Sequence, residues 1–316
     1  MRVEIELINY HFCNCFEAVL ANMAKWIGRD YELMYINEWD FSYYPPKDLS
    51  NRLGRSLALH FDKRNALDRF YGIKYVEFTC DNFTEVLKLF KNELKSNSKF
   101  PLARLDTYFL PWDKSYGRVH NKIHIVFITD IDHENQILHI ADPFYLIKDQ
   151  AISFDEFQQS YSGKYGLFEI GRDNSGEVDG RELLRSVLSK LYEKDAFNLM
   201  RAFADDLAGS YSREVETHGF ENMWETPLYF NIANIETSRK RIAPFLFHIA
   251  DRYGFKGIYQ SQEEINLLAP TWDGIKNSFI KLLMSDGNLH VKLAQKIRGL
   301  ADYEEKTANH LYRLLR

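Results

Sequence analysis

Around residues 171–180 the spacing of apolar residues changes, and that change narrows the folds open to this chain. Upstream, short runs rich in β-branched and aromatic residues at 73–78, 101–105, 123–131, 136–141 and 167–170 read as strands. Between them, residues 82–94 form an amphipathic helix with Phe83, Val86, Leu87, Phe90 and Leu94 on one side, and a further helix falls within 152–161. Downstream, apolar residues recur at three and four over 181–209, 237–253, 262–285 and 288–316, which is helical spacing. The stretch 171–180 is polar and carries three glycines, so it reads as a linker. The expected fold class is α+β: an N-terminal helix plus antiparallel sheet over 1–172, followed by a mostly helical region over 181–316. A length of 316 residues suits one large or two ordinary domains. One continuous domain whose C-terminal helices cover the sheet is the contrary reading.

Three residues in the first half form a chemical constellation. Cys15 opens a helix in which Val19, Met23 and Trp26/Ile27 share a face, Asn14 stands at the N-cap and Gly28 is a natural stop. A cysteine in the first turn feels the positive end of the helix dipole, which favours the thiolate. His124 begins the strand 123–131, and Asp142 ends its partner after the polar turn 132–135. Pairing about His133 would make His124 and Asp142 direct cross-strand neighbours; a slip of one residue would make them diagonal neighbours. Pro143, without a backbone donor, ends the second strand. Cys, His and Asp in this order match a papain-like nucleophile, base and orienting carboxylate. Singly, each has a plainer reading as a buried cysteine, a half-buried histidine and a turn aspartate. It is the combination that points to a triad.

Composition sets the setting. A net charge of −5 argues against a general nucleic-acid partner. No 18-residue apolar run occurs, and the first residues have no apolar signal core, so no membrane association and a cytoplasmic location are expected. Three cysteines, an odd number, argue for a reducing compartment rather than a disulfide framework. Aromatic residues make up 15%; they line a pocket or fill cores. Many fall in 29–72, expected to be a short helix and long loops near the cleft, selecting the substrate. A zinc site built from His11, Cys13, Cys15 and His120 or His124 is set aside, because Cys-x-Cys is poor zinc spacing and no second paired motif follows. No metal is expected.

The residues around Cys15–Asn22, the segment Asp106-Thr107-Tyr108-Phe109-Leu110-Pro111-Trp112, His124-Ile125-Val126 and Ala141-Asp142-Pro143 together resemble the N-terminal domain of the butirosin biosynthesis protein H family. The resemblance spans roughly residues 9–170, and the D-x-Y-x-L-P-aromatic segment separates it from ordinary papain-like peptidases. A more distant likeness is to the cysteine peptidase domains of bacteriocin exporters. The resemblance implies acyl transfer in natural-product biosynthesis of the antibiotic or nonribosomal-peptide type. An acyl or aminoacyl group moves from the phosphopantetheine arm of a carrier protein, through an acyl-enzyme, to the amine of a small-molecule acceptor. Cys15 would be the nucleophile, His124 the base and later acid, and Asp142 its orienter. Relatives carry histidine immediately before the nucleophile, whereas Asn14 stands here, so Cys13 competes with Cys15. Cys15 alone sits four residues before Val19 on the helical register.

A thioester donor exchanges with a thiolate at nearly neutral free energy, and the acyl-enzyme then needs a dry pocket. Aromatic residues of 31–44 and 108–116, Tyr108 and Trp112 among them, are expected to line it and contact substrate. Asp106 is expected either to bind the amine or to cap a loop. For the oxyanion hole, the Cys15 N–H supplies one donor, and Asn9, at the spacing where papain-like enzymes place a glutamine, the other. No cofactor beyond the donor's phosphopantetheine arm is implied. The rival functions are a cysteine peptidase or amidase using the same residues, and an inert papain-like binding module. Oligomeric state stays open, with a homodimer among the options.

Overall fold

The computed structural model describes residues 6–8, 11–46, 52–59, 62–95, 100–284 and 289–316. In chain order its helices and strands are α1 (Cys15–Trp26), β1 (Ser42–Tyr43), β2 (Leu57–Ala58), α2 (Lys63–Tyr71), β3 (Ile73–Thr79), α3 (Phe83–Lys95), β4 (Leu102–Leu105), β5 (His124–Asp132), β6 (Ile137–Asp142), β7 (Ile147–Ser153), α4 (Phe154–Ser160), β8 (Tyr161–Ile170), α5 (Gly180–Glu193), α6 (Ala196–Ser210), α7 (Arg213–Thr217), α8 (Pro227–Arg252), α9 (Gln262–Met284) and α10 (Leu289–Leu314). The fold is α+β, with an antiparallel sheet and a helical C-terminal region. Two compact units emerge: Met1–Tyr31 with Arg64–Gly176, and Glu32–Lys63 with Glu177–Arg316. The segment 32–63, expected beside the cleft, therefore groups with the helical unit. Its Tyr35, Trp39, Phe41 and Tyr43 are buried there as core.

The first unit is built on a six-stranded sheet in the order β3-β8-β4-β5-β6-β7, every pairing antiparallel. β5 is central, and residues 124–129 are buried throughout, so it reads as a continuous apolar run rather than an alternating one. Val126 and Ile128 join a cluster with Val86, Leu87 and Phe90 of α3 and Phe157 of α4. The alternate residue Phe127 meets Phe100 at 5.6 Å between ring centroids, and Phe100 meets Trp26 of α1 at 4.5 Å. β5 is thus covered by helices on both faces. This burial fixes its register, since a slip of one residue would exchange the two faces.

That register differs from a turn centred on His133. Phe127 faces Ala141 and Ile128 faces Ile140, but past a bulge Asp130 faces His139. Asp132 accepts from the amides of Glu134 and Asn135, and Gln136 takes φ +57°, so the turn runs one residue longer. Continuing from Phe127, Asp142 lies opposite Val126, which makes His124 its diagonal neighbour.

In the second unit, helices that the apolar spacing joins or shortens turn out otherwise. The run 181–209 breaks into α5 and α6 at Asp195, whose φ is +54°. α8 starts ten residues before position 237, at Pro227, with Thr226 as N-cap accepting from the Tyr229 amide. At the centre of this unit lies Glu304, fully buried. Its two oxygens take a bidentate pair from Arg239 at 2.9 and 3.0 Å, and the indole N–H groups of Trp272 and Trp39 at 2.6 and 2.9 Å. Remaining Arg239 donors reach the carbonyls of Glu38 and Asp40. A buried ion pair adds little net stability, but removing one member strands the other charge. Glu304→Ala is therefore expected to cost roughly 3–5 kcal/mol, read by urea denaturation followed by far-UV circular dichroism.

Candidate active site

The nucleophile candidate sits where the local sequence makes a helix start. Asn14 accepts from the Glu17 amide at 2.9 Å while the Glu17 carboxylate accepts from the Asn14 amide, a reciprocal capping box. The carbonyl of Asn14 accepts from Ala18 N–H. That leaves the amides of Cys15 and Phe16 as the helix's outward donors; none of the described residues accepts from them. At the other end Gly28, at φ +74°, lets its own N–H and that of Arg29 fold back on the last turn. Asn22, in the middle of the helix, bonds both the amide and the carbonyl of Ile8 and so holds the preceding segment against α1. Asn9, the expected second oxyanion donor, lies outside the described residues.

Cys15 is partly exposed, whereas Cys13 is buried. The Cys15 Sγ lies 4.0 Å from the carbonyl of Ile123, at the threshold of β5 and one residue before His124. Cys15 is thus the partly exposed cysteine at the head of β5. His124 is 4% exposed, and its Nε2 is 2.7 Å from Asp142 Oδ2. Burial alone would hold the imidazole neutral. Against it, hydrogen bonds and charges of Asp142 and Cys15 push its pKa up to about 10. A protonated imidazole beside a thiol at a helix N-terminus is the setting in which a cysteine attacks as thiolate.

Asp142 is fully buried and has four donors around it. Oδ1 accepts from the amides of Phe144 and Tyr145, capping the short turn Pro143–Tyr145, and Oδ2 accepts from His124 and from Trp112 Nε1 at 2.9 Å. Tyr145 and Phe144 lay their rings against His124, 5.8 and 6.2 Å between centroids. The Tyr145 hydroxyl donates to Asp113 Oδ2 at 2.8 Å. Two bonds, Trp112 to Asp142 and Tyr145 to Asp113, therefore tie the 106–121 loop to the Asp142 turn.

Asp106 and Trp112, both named as substrate contacts, have partners within the loop and its turn. Asp106 is 3% exposed; it accepts from the amides of Tyr108 and Asn121 and pairs with His120 Nδ1 at 2.8 Å. Burial opposes its ionisation, yet these bonds hold the carboxyl below its usual range. Of the two roles open to Asp106, capping the loop is the one the structure builds. Trp112, half-buried, commits its indole N–H to Asp142. Tyr108 keeps partial exposure but stacks on His120, 4.1 Å between ring centroids. The Tyr145–Asp113 bond had no local signal in the sequence, because its ends lie 32 positions apart.

Among the described residues, no group of three or more His, Cys, Asp or Glu is arranged to hold a metal ion, and no helix is long and apolar enough to cross a membrane. Compared with models of protein families and with curated proteins, the chain matches none.

Two outcomes follow from this geometry. Because the folded pKa of His124 is raised, its contribution to stability is complete below about pH 6.5 and is lost as pH climbs toward 10. Thermal denaturation across that window is expected to show a falling midpoint, and His124→Gln should flatten the slope. Trp112→Phe keeps the ring but removes one donor from a buried carboxylate, so a loss of about 1–3 kcal/mol is expected in urea denaturation.

Proposed function

We propose that the chain is a cysteine-dependent acyltransferase with a papain-like catalytic core, which takes an acyl or aminoacyl group from a carrier-protein thioester and delivers it to an amine. The observation that carries this reading is the placing of Cys15, at the first position of a capped helix, against the head of β5, where His124 is bonded to the buried carboxylate of Asp142. The likeness of the residues around Cys15, 106–112, His124 and Asp142 to the butirosin biosynthesis protein H family adds the substrate class.

In the first half-reaction the Cys15 thiolate attacks the thioester carbonyl. The carbonyl oxygen takes up negative charge facing the outward amides of Cys15 and Phe16, the electrostatic help such a step needs. The donor's C–S bond breaks, its sulfur leaves as a thiol with the proton from His124, and the acyl group stays on Sγ. In the second, the acceptor amine attacks the same carbon, the C–Sγ bond breaks, and His124 takes the amine proton while Cys15 returns as thiolate. Asp142 keeps the imidazole oriented through both halves. Transfer rather than hydrolysis requires the amine to arrive before water, which a close, largely apolar surround favours; Phe144 and Tyr145 provide part of it.

The test is intact-protein mass spectrometry after mixing with a panel of acyl-pantetheine thioesters. Wild type and Cys13→Ala are expected to gain the acyl mass and to release it on addition of an amine, while Cys15→Ala gains nothing and keeps the wild-type circular dichroism. An acyl increment that survives in Cys15→Ala, or release only to water with every amine tried, would sink the transferase reading, the latter in favour of a hydrolase.

A further inference from the structure

The loop between β4 and β5 has a marked division of charge. Its ends meet through the Thr107 amide and the Asn121 carbonyl at 3.0 Å, and the Gly117 amide reaches the Tyr108 carbonyl at 2.9 Å, so it closes on itself as an Ω-loop. Both of its carboxylates are consumed inside. Asp106 holds Tyr108, His120 and Asn121, and Asp113 takes the amide and hydroxyl of Ser115 and the hydroxyl of Tyr145. The Thr107 and Ser115 hydroxyls meet at 2.6 Å. Outward the loop and its exit present Lys114, Arg118 and Lys122, all exposed, and among the described residues none of the three has an acidic partner. The neighbouring helix α4 touches the loop through Ser160 in its last turn, whose carbonyl accepts from the Asp106 amide, whereas its acids Asp155 and Glu156 lie in the first. In a chain of net charge −5, this is a local excess of cations.

Its position gives it meaning. Lys122 directly precedes Ile123, whose carbonyl lies 4.0 Å from Cys15 Sγ, and Trp112 in the same loop bonds Asp142. A thioester carried on pantetheine has its sulfur at one end of a flexible arm and a phosphate at the other. We propose that Lys114, Arg118 and Lys122 form a phosphate-binding edge that receives the phosphorylated end of this arm while its thioester is presented to Cys15. The proposal rests on the transferase reading for its donor and adds the residues that select it. Arginine and lysine together suit a phosphate, the one by directional N–H pairs and the other as a point charge. The Ω-loop holds the backbone that carries them, so little ordering is lost on binding.

Calorimetric titration of the full chain with pantetheine, 4′-phosphopantetheine and coenzyme A tests this. Wild type is expected to bind 4′-phosphopantetheine about tenfold or more tightly than pantetheine, and the preference should shrink with added salt. In Lys114→Gln/Arg118→Gln/Lys122→Gln, whose replaced side chains have no acidic partners to lose, the two are expected to bind alike, with the thermal midpoint unchanged. Coenzyme A binding more tightly than 4′-phosphopantetheine would assign the free coenzyme as the source; equal affinity would assign the arm itself. Equal affinity of wild type for pantetheine and 4′-phosphopantetheine, or a preference that persists in the triple variant, overturns the proposal. Failure of the transferase reading shows separately: Cys15 would stay unacylated while the phosphate preference held.

Discussion

A carboxylate withdrawn from water needs partners, and meeting the needs of Asp142 organises the first unit. Removed from solvent without donors, an ionised carboxylate would cost many kcal/mol, so a fold that buries one must bring hydrogen bonds to it. Here they come from three places: the amides of the 143–145 turn, the imidazole at the head of β5, and the indole of Trp112. None of these can shift far without leaving the carboxylate short of a donor. The orientation of His124 toward Cys15 is therefore a by-product of satisfying Asp142, and pre-organisation of the site and stability of the unit share one cause. The Pro143 that follows Asp142 helps, since a residue with a fixed φ and no N–H suits the first position of the turn that Asp142 caps.

The second unit solves the same problem with a different result. Glu304 is as deeply buried as Asp142, but its partners, Arg239 and two tryptophans, are themselves buried, and the network closes on itself. With its donors and acceptors answered inside, the network has no partner that also serves a second group at the surface. At Asp142 one partner is an imidazole at the head of β5, where the partly exposed Cys15 sulfur also lies. Burial of a carboxylate is common to both; the identity of the partner separates a structural network from a candidate catalytic one.

How much of this was legible in sequence depends on how local the signal was. Asn14, Glu17 and Gly28 bracket α1 with cap residues, and the helix starts and stops where they say. The strands of the sheet's interior were visible because both faces are buried. β7 was not, because it is an edge strand whose Lys148, Asp149 and Ala151 are exposed, leaving little apolar alternation. The start of α8 had a signal in Thr226-Pro227, masked because the apolar spacing becomes regular only later. The turn 132–136 and the bulge near Thr129 depend on cross-strand packing, which no window of sequence contains, and so the His124–Asp142 relation came out diagonal rather than direct. The aromatic wealth of 32–63 announced burial without saying in which unit. The His124–Asp142 pair was legible from its hairpin, while the partners that hold it, Trp112, Tyr145 and Asp113, were not, because each acts across a long stretch of chain.

The double tie between the 106–121 loop and the Asp142 turn has a bearing on how such a chain can diversify. Substitution at Trp112, Asp113, His120 or Asn121 reaches the buried carboxylates directly, whereas the stretch from Lys114 to Val119 contributes to them only through Ser115. Drift in sequence, and changes in length, are thus channelled into one short outer arc that, Ser115 apart, adds no side-chain bond to these carboxylates among the described residues. A lineage built on this frame can rewrite that arc while the hydrogen bonds around Asp142 stay as they are.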